Sequence, residues 1–136
     1  MGGFSDYLEA KVLNVIFGKA TFTSPNIWAG LCTAAISDTD TGATASTLEP
    51  NAGAYVRVNV VASSWSSSAA SGAVSNVDTI TFITTTASWS TLTHCILCDA
   101  SVAGNLLAFC SVATAKAVGS GDAAQFAVGD FDIVLS

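Results

Sequence analysis

The chain has 136 residues, 51% apolar and only 10% charged, with a formal net charge of −6. A surface so poor in charge must be built largely from Ser, Thr, Gly and Ala, and suits a protein packed against neighbours better than one alone in solution. Its four bases, Lys11, Lys19, Arg57 and Lys116, are scattered, so no basic stripe can displace counterions from phosphates, and no apolar run reaches the ~20 residues of a membrane span; neither nucleic acid nor a membrane is an expected partner.

The length predicts a single domain across residues 1–136. Its opening, MGGFSDYLEAKVLNVIFGKA, places Asp6 and Glu9 where an export signal would be basic. The expectation is a protein made in a host cytoplasm, where thiols stay reduced. Ser5 to Phe17 reads as an amphipathic helix: Ser5 is a suitable N-cap, Asp6 and Glu9 favour the positive end of the dipole, and Gly18 can close the C-terminus. Phe4, Leu8, Val12, Val15 and Ile16, with Tyr7 beside Leu8, form a stripe that predicts burial against the body or a neighbour.

From Asn26 onward the pattern is β. NIWAGLC (26–32) alternates Ile27, Ala29 and Leu31 with Trp28, Gly30 and Cys32, and AYVRVNVVA (54–62) alternates Val56, Val58 and Val60 with Tyr55, Arg57 and Asn59. Further strands are predicted at 78–84, 92–99, 105–112, 125–128 and 131–136. Breaker-rich stretches at 37–53, 63–76 and 119–124 separate them. Several short strands, one helix and no βαβ alternation predict a mainly β fold: an antiparallel β-sandwich, jelly-roll-like, with one N-terminal amphipathic helix at about 5–17.

Three groups of residues could carry chemistry. Cys95 and Cys98 form a C-x-x-C, with Cys110 and His94 nearby. In a strand, residues three apart face opposite sides, which sends the two thiols apart and opposes a zinc or thioredoxin-like site. A hairpin explains the string better: CILCD rises, ASVAG turns at Gly104, and NLLAFC returns, with Cys98 and Cys110 on adjacent strands and cysteine used as a small apolar residue. Asp38, Asp40 and Glu49 in the long loop 37–53 are oxygen donors for a calcium ion, but the rest of an EF-hand pattern is missing. No G-x-S-x-G elbow is present and one histidine would have to serve any triad, so no catalytic residue, metal or cofactor is expected. Trp28 and Trp89 read as core, whereas Trp65, in a Ser-rich loop, reads as exposed and able to stack on a sugar or anchor a protein contact.

In order along the chain, GFSDYLEAKVLNVIFG, IWAGLCTA, EPNAGAYVRV, TITF, HCILCDASVAGNLLAF and the closing GDFDIVL resemble a family of small bacteriophage virion proteins often labelled tail-fibre-like. The resemblance implies a non-enzymatic virion structural protein with a β-sandwich body. The chain lacks the shaft and repeat of a fibre, which favours capsid decoration, or cement, on the outer lattice of the head; a tail-fibre or sugar-binding module and a small thiol or zinc protein are the alternatives. The expected partners are the major capsid protein or another virion protein, and further copies of the chain as a homotrimer. The residues expected at the protein interface are Phe4, Tyr7, Leu8, Val12 and Trp65.

Overall fold

A computed structural model describes residues 3–66 and 72–134. The fold is mainly β and antiparallel, with one long helix near the N-terminus. Its elements are β1 (Gly3–Phe4), α1 (Asp6–Ile16), β2 (Ile27–Cys32), α2 (Gly42–Ser46), β3 (Val58–Val60), a 3-10 turn (Ala62–Ser64), β4 (Ala73–Ser75), β5 (Ile80–Thr81), β6 (Ser90–Cys98), β7 (Leu106–Val118), β8 (Gln125–Phe126) and β9 (Asp132–Val134). Five strands form one antiparallel sheet in the order β1-β7-β6-β2-β3, while β4 pairs with β9 and β5 with β8 in two short ladders. The second layer is thus assembled from two ladders.

The period-two pattern decides what each face of the large sheet meets. Ala29 and Leu31 of β2, Cys95 and Leu97 of β6 and Leu107 of β7 share a core with Ile80, Phe82, Trp89 and Phe131, which come from the ladders and their connections. A run of rings crosses this core: Tyr55 meets Trp89 edge-on at 5.2 Å, Phe82 meets Phe126 at 6.3 Å, and Phe126 meets Phe131 at 4.6 Å. Such edge-to-face contacts add to the burial energy of the rings. On the opposite face Cys32, Ile96, Cys98 and Leu106 pack under Ile36, Ala45 and Leu48.

The segment 37–53, expected as a long breaker-rich loop, is therefore a cover for this second face. It contains α2, which the sequence reading passed over. Thr41 caps its N-terminus in a reciprocal capping box with Thr44, and Ala45 is fully buried. Strand β3 covers only Val58–Val60 of the predicted 54–62, and the side chains of Tyr55 and Arg57, just before it, make contacts of their own. Strand β7 instead runs on to Val118, well past the predicted 112. Residues 67–71 of the predicted loop at 63–76, and 135–136 of the last predicted strand, lie outside the described residues.

Helix α1 has the expected bounds, and its start is bolted to the sheet. Ser5 Oγ accepts the Leu8 N–H and donates to the Leu106 carbonyl, the Ser5 N–H donates to the Leu107 carbonyl at 3.0 Å, and the Asp6 N–H reaches the Asp38 carbonyl at 2.9 Å. Tyr7 and Leu8 pack against the core. The rest of the predicted stripe does not: no residue of α1 is fully buried, and Val15 and Ile16 are exposed. Only the first turns of the helix find the body.

Candidate functional site

The best-organised polar cluster is one the sequence reading missed. Arg57 and Glu49 form an ion pair at 2.8 Å between Nη2 and Oε2, with side chains 2% and 6% exposed. The Arg57 Nε–H also donates to both Glu49 oxygens at 3.1 Å, and Tyr55 Oη donates to Oε1 at 2.6 Å. The remaining donors of the guanidinium hold two loops: Nη1 bonds the carbonyls of Ala100 and Ala103, and Nη2 bonds the Gly42 carbonyl and Ser46 Oγ. A fixed fork of five donors is suited to this task, since each N–H meets an acceptor without rearrangement. Burial and the Glu49 carboxylate push the Tyr55 hydroxyl well above its usual range, so it stays a neutral donor. The cluster joins α2, β3 and the β6–β7 turn; it has a structural task.

Satisfying Arg57 consumes Glu49, and this disperses the acids considered for calcium. Asp40 accepts from the Ser37 N–H at 2.8 Å and from Thr44 Oγ1 at 2.9 Å, while Asp38 accepts from Ser37 Oγ. Among the described residues, no three His, Cys, Asp or Glu side chains come together as a metal site.

The thiols separate as strand geometry requires. Cys95 lies in the aromatic core and Cys98 in the core beneath the cover, on opposite faces of β6. The β6–β7 hairpin forms, with Gly104 at φ +71° in its turn and Asp99 accepting from the Asn105 N–H at 2.7 Å. Cys98 and Cys110 do sit on adjacent strands but are not opposite each other: Cys95 pairs directly with Cys110, and a register shift after Leu97 pairs Cys98 with Leu106. Their sulfurs are 2.7 Å apart. Burial pushes the Cys32 thiol up to about 12 and the Cys98 thiol up to about 11, so both are inert at neutral pH. His94 is half-buried, its Nδ1 2.9 Å from Thr93 Oγ1.

Two surface features could serve binding. One is the far end of α1, where Leu13, Ile16 and Phe17 are 55%, 68% and 69% exposed. At spacings i, i+3 and i+4 these residues form a second stripe, distinct from the one facing the body. The other is a pair of open cavities whose linings share Cys95 and Cys110. The first, about 430 Å3, is lined by Phe4, Leu97, Phe109 and Phe131, with Asp130 and Asp132 among its polar groups. The second is lined by Leu92, Val112, Lys116 and Phe126.

The residues expected at an interface are distributed unevenly about these features. Phe4 pairs with Ala108 in the sheet and lines the first cavity. Tyr7 and Leu8 pack against the core and Val12 is half-buried. Trp65, read as an exposed loop residue, is half-buried: its ring meets Phe131 edge-on at 6.3 Å, and its indole N–H is buried without a hydrogen-bond partner among the described residues. The sequence signal of the second stripe is the i, i+4 spacing of Leu13 and Phe17.

A family model described as Podophage GP4 fiber I protein gp80 matches residues 3–134. No curated protein matches the chain.

Proposed function

We propose, since the chain belongs to the Podophage GP4 fiber I protein gp80 family and is thereby a bacteriophage virion structural protein, that it serves as a subunit of a virion fibre that assembles with further copies of itself. The observation that carries this reading is the apolar end of α1. Leu13, Ile16 and Phe17 project from a helix whose N-terminus is fixed to the sheet by Ser5, so the apolar group is presented rigidly and its ordering cost is met before contact.

A second copy is the occupant that fits. The first cavity offers Phe4, Phe109 and Phe131 to an incoming apolar group, and exposed Asp130 and Asp132 stand at it. Phe17 is followed by Gly18 and the exposed Lys19. Inserting Phe17 into a neighbour's cavity would bring Lys19 toward those carboxylates, an opposite-charge match in a chain with few charges. Because helix end and cavity are different patches, the contact is head-to-tail, and a rotation that closes makes a ring such as a trimer. Interfaces of this kind gain from complementary charge mainly in specificity and rate of encounter.

Capsid decoration is the second reading. What favours it is a described body made of one sheet, two short ladders and an 11-residue helix, which has the form of a unit that clips to a lattice. Quantitative mass spectrometry of purified virions separates the two. A few copies per particle supports the fibre reading; a number matching the major capsid protein overturns it in favour of decoration.

A further inference from the structure

We propose that Cys95 and Cys110 are an oxidisable pair that closes to a cross-strand disulfide once the protein leaves the reducing cell. The inference rests on the virion reading for its setting, because a particle released by the host moves from a compartment that keeps thiols reduced to one that does not.

The geometry supplies the rest. The two residues are direct partners in the antiparallel pairing of β6 and β7, and their sulfurs are 2.7 Å apart, so only a small movement separates contact from a bond. Cys110 is half-buried and, with Cys95, lines both open cavities. A small oxidant can therefore reach it from the surface. Cys95 lies behind it in the core. Cys32 and Cys98 lack these features: both are fully buried on the other face of the sheet. Contact with the Cys95 thiol lowers the pKa of Cys110, while the same contact and burial hold Cys95 protonated. The accessible member of the pair is thus also the one that ionises first.

The oxidant class is a low-molecular-weight disulfide such as oxidised glutathione. The Cys110 thiolate attacks one of its sulfurs, forming a mixed disulfide and releasing one glutathione thiolate, which takes up a proton. Cys95 then loses its proton to solvent and attacks the Cys110 sulfur, releasing the second glutathione. Two thiols of the protein are oxidised and one small disulfide is reduced to two thiols, so electrons and protons balance.

The test uses the purified full chain, reduced and then incubated natively with oxidised glutathione. Free thiols are blocked by alkylation, and the protein is examined by intact mass and non-reducing peptide mapping. The expected result is loss of two hydrogens and a peptide linking Cys95 to Cys110, with Cys32 and Cys98 still free. Cys110→Ser should abolish the link, whereas Cys98→Ser should leave it intact. Both thiols of the wild-type pair remaining open to alkylation, or a link joining any other pair, would overturn the proposal even if every variant misfolds. Since the chemistry is read on the isolated chain, its failure is distinct from a failure of the virion reading, which would appear as absence of the protein from purified particles.

Discussion

Gly30, in the middle of β2, leaves the space that the Glu49 carboxylate occupies: a Cβ at position 30 would lie 2.6 Å from Glu49 Oε1 and 2.8 Å from Ile96 Cγ1. The absence of a side chain is what lets an acid from the cover reach the face of a central strand. Gly30→Ala should force Glu49 aside and destabilise the fold by about 1–3 kcal/mol, the usual range for overpacking. Urea melts of the two proteins would check this, with unchanged stability as the contrary result.

The ion pair itself should behave as a buried one. Arg57→Ala leaves the Glu49 carboxylate without its cation and the carbonyls of Gly42, Ala100 and Ala103 without their donor, for an expected loss of about 3–5 kcal/mol. Removing both charges with apolar residues of similar volume, Arg57→Met with Glu49→Leu, should recover much of that loss. A double-mutant cycle measures the coupling, and additive losses would mean that the pair does not act as a unit.

Alkaline pH should unfold the protein. Cys32 and Cys98 have folded pKa values raised to about 12 and about 11 from 9.0. Above pH 9 the unfolded chain gives up these protons while the folded chain keeps them, so the stabilisation present below pH 9 is lost as pH rises toward 11–12. Each thiol contributes a slope of about 1.4 kcal/mol per pH unit in that window. Denaturant midpoints at pH 7, 9 and 10.5 should fall between the second and third, and Cys32→Ala with Cys98→Ala should flatten the decline.

Phe17→Asp should leave the fold within about 0.5 kcal/mol of the wild type, as the side chain is solvent-exposed and ends its helix. Self-association should weaken sharply. Sedimentation velocity across a concentration series reads the change, and a variant as oligomeric as the parent would remove α1 from the assembly contact.

If the cross-strand link forms, the oxidised protein should unfold at a higher denaturant concentration than the reduced one. Cys95 and Cys110 are 15 residues apart, and closing a loop of that size is worth about 3 kcal/mol in the unfolded chain. The existing hairpin should bring the observed gain below that figure.

Local signals in the sequence were reliable where local physics decides. Ser5, Asp6 and Gly18 marked the ends of α1, and Asp99 with Gly104 marked the turn between β6 and β7. What was illegible depends on distance in the chain. Nothing near Arg57 announces that Glu49 will meet it under a cover, although a lone arginine between valines in a chain this poor in charge was a clue. The pairing of Cys95 with Cys110 was not legible because register is a property of two strands together, set here by the length of the turn between them. The depth to which α1 would bury could not be read from its stripe, since a stripe records a preference for apolar surroundings and not who supplies them.

The contacts of Arg57 also bear on the order in which the molecule assembles. Its bonds to Ala100 and Ala103 span 43 and 46 positions, so they are made only after the hairpin has formed and the intervening chain has been brought back over it. A contact that needs two elements already in place is expected to be little formed in the transition state. Arg57 should then act as a latch on the finished fold: its removal would quicken unfolding far more than it slows folding. A virion component that must outlast its cell has use for that asymmetry, because its lifetime is set by the rate of opening.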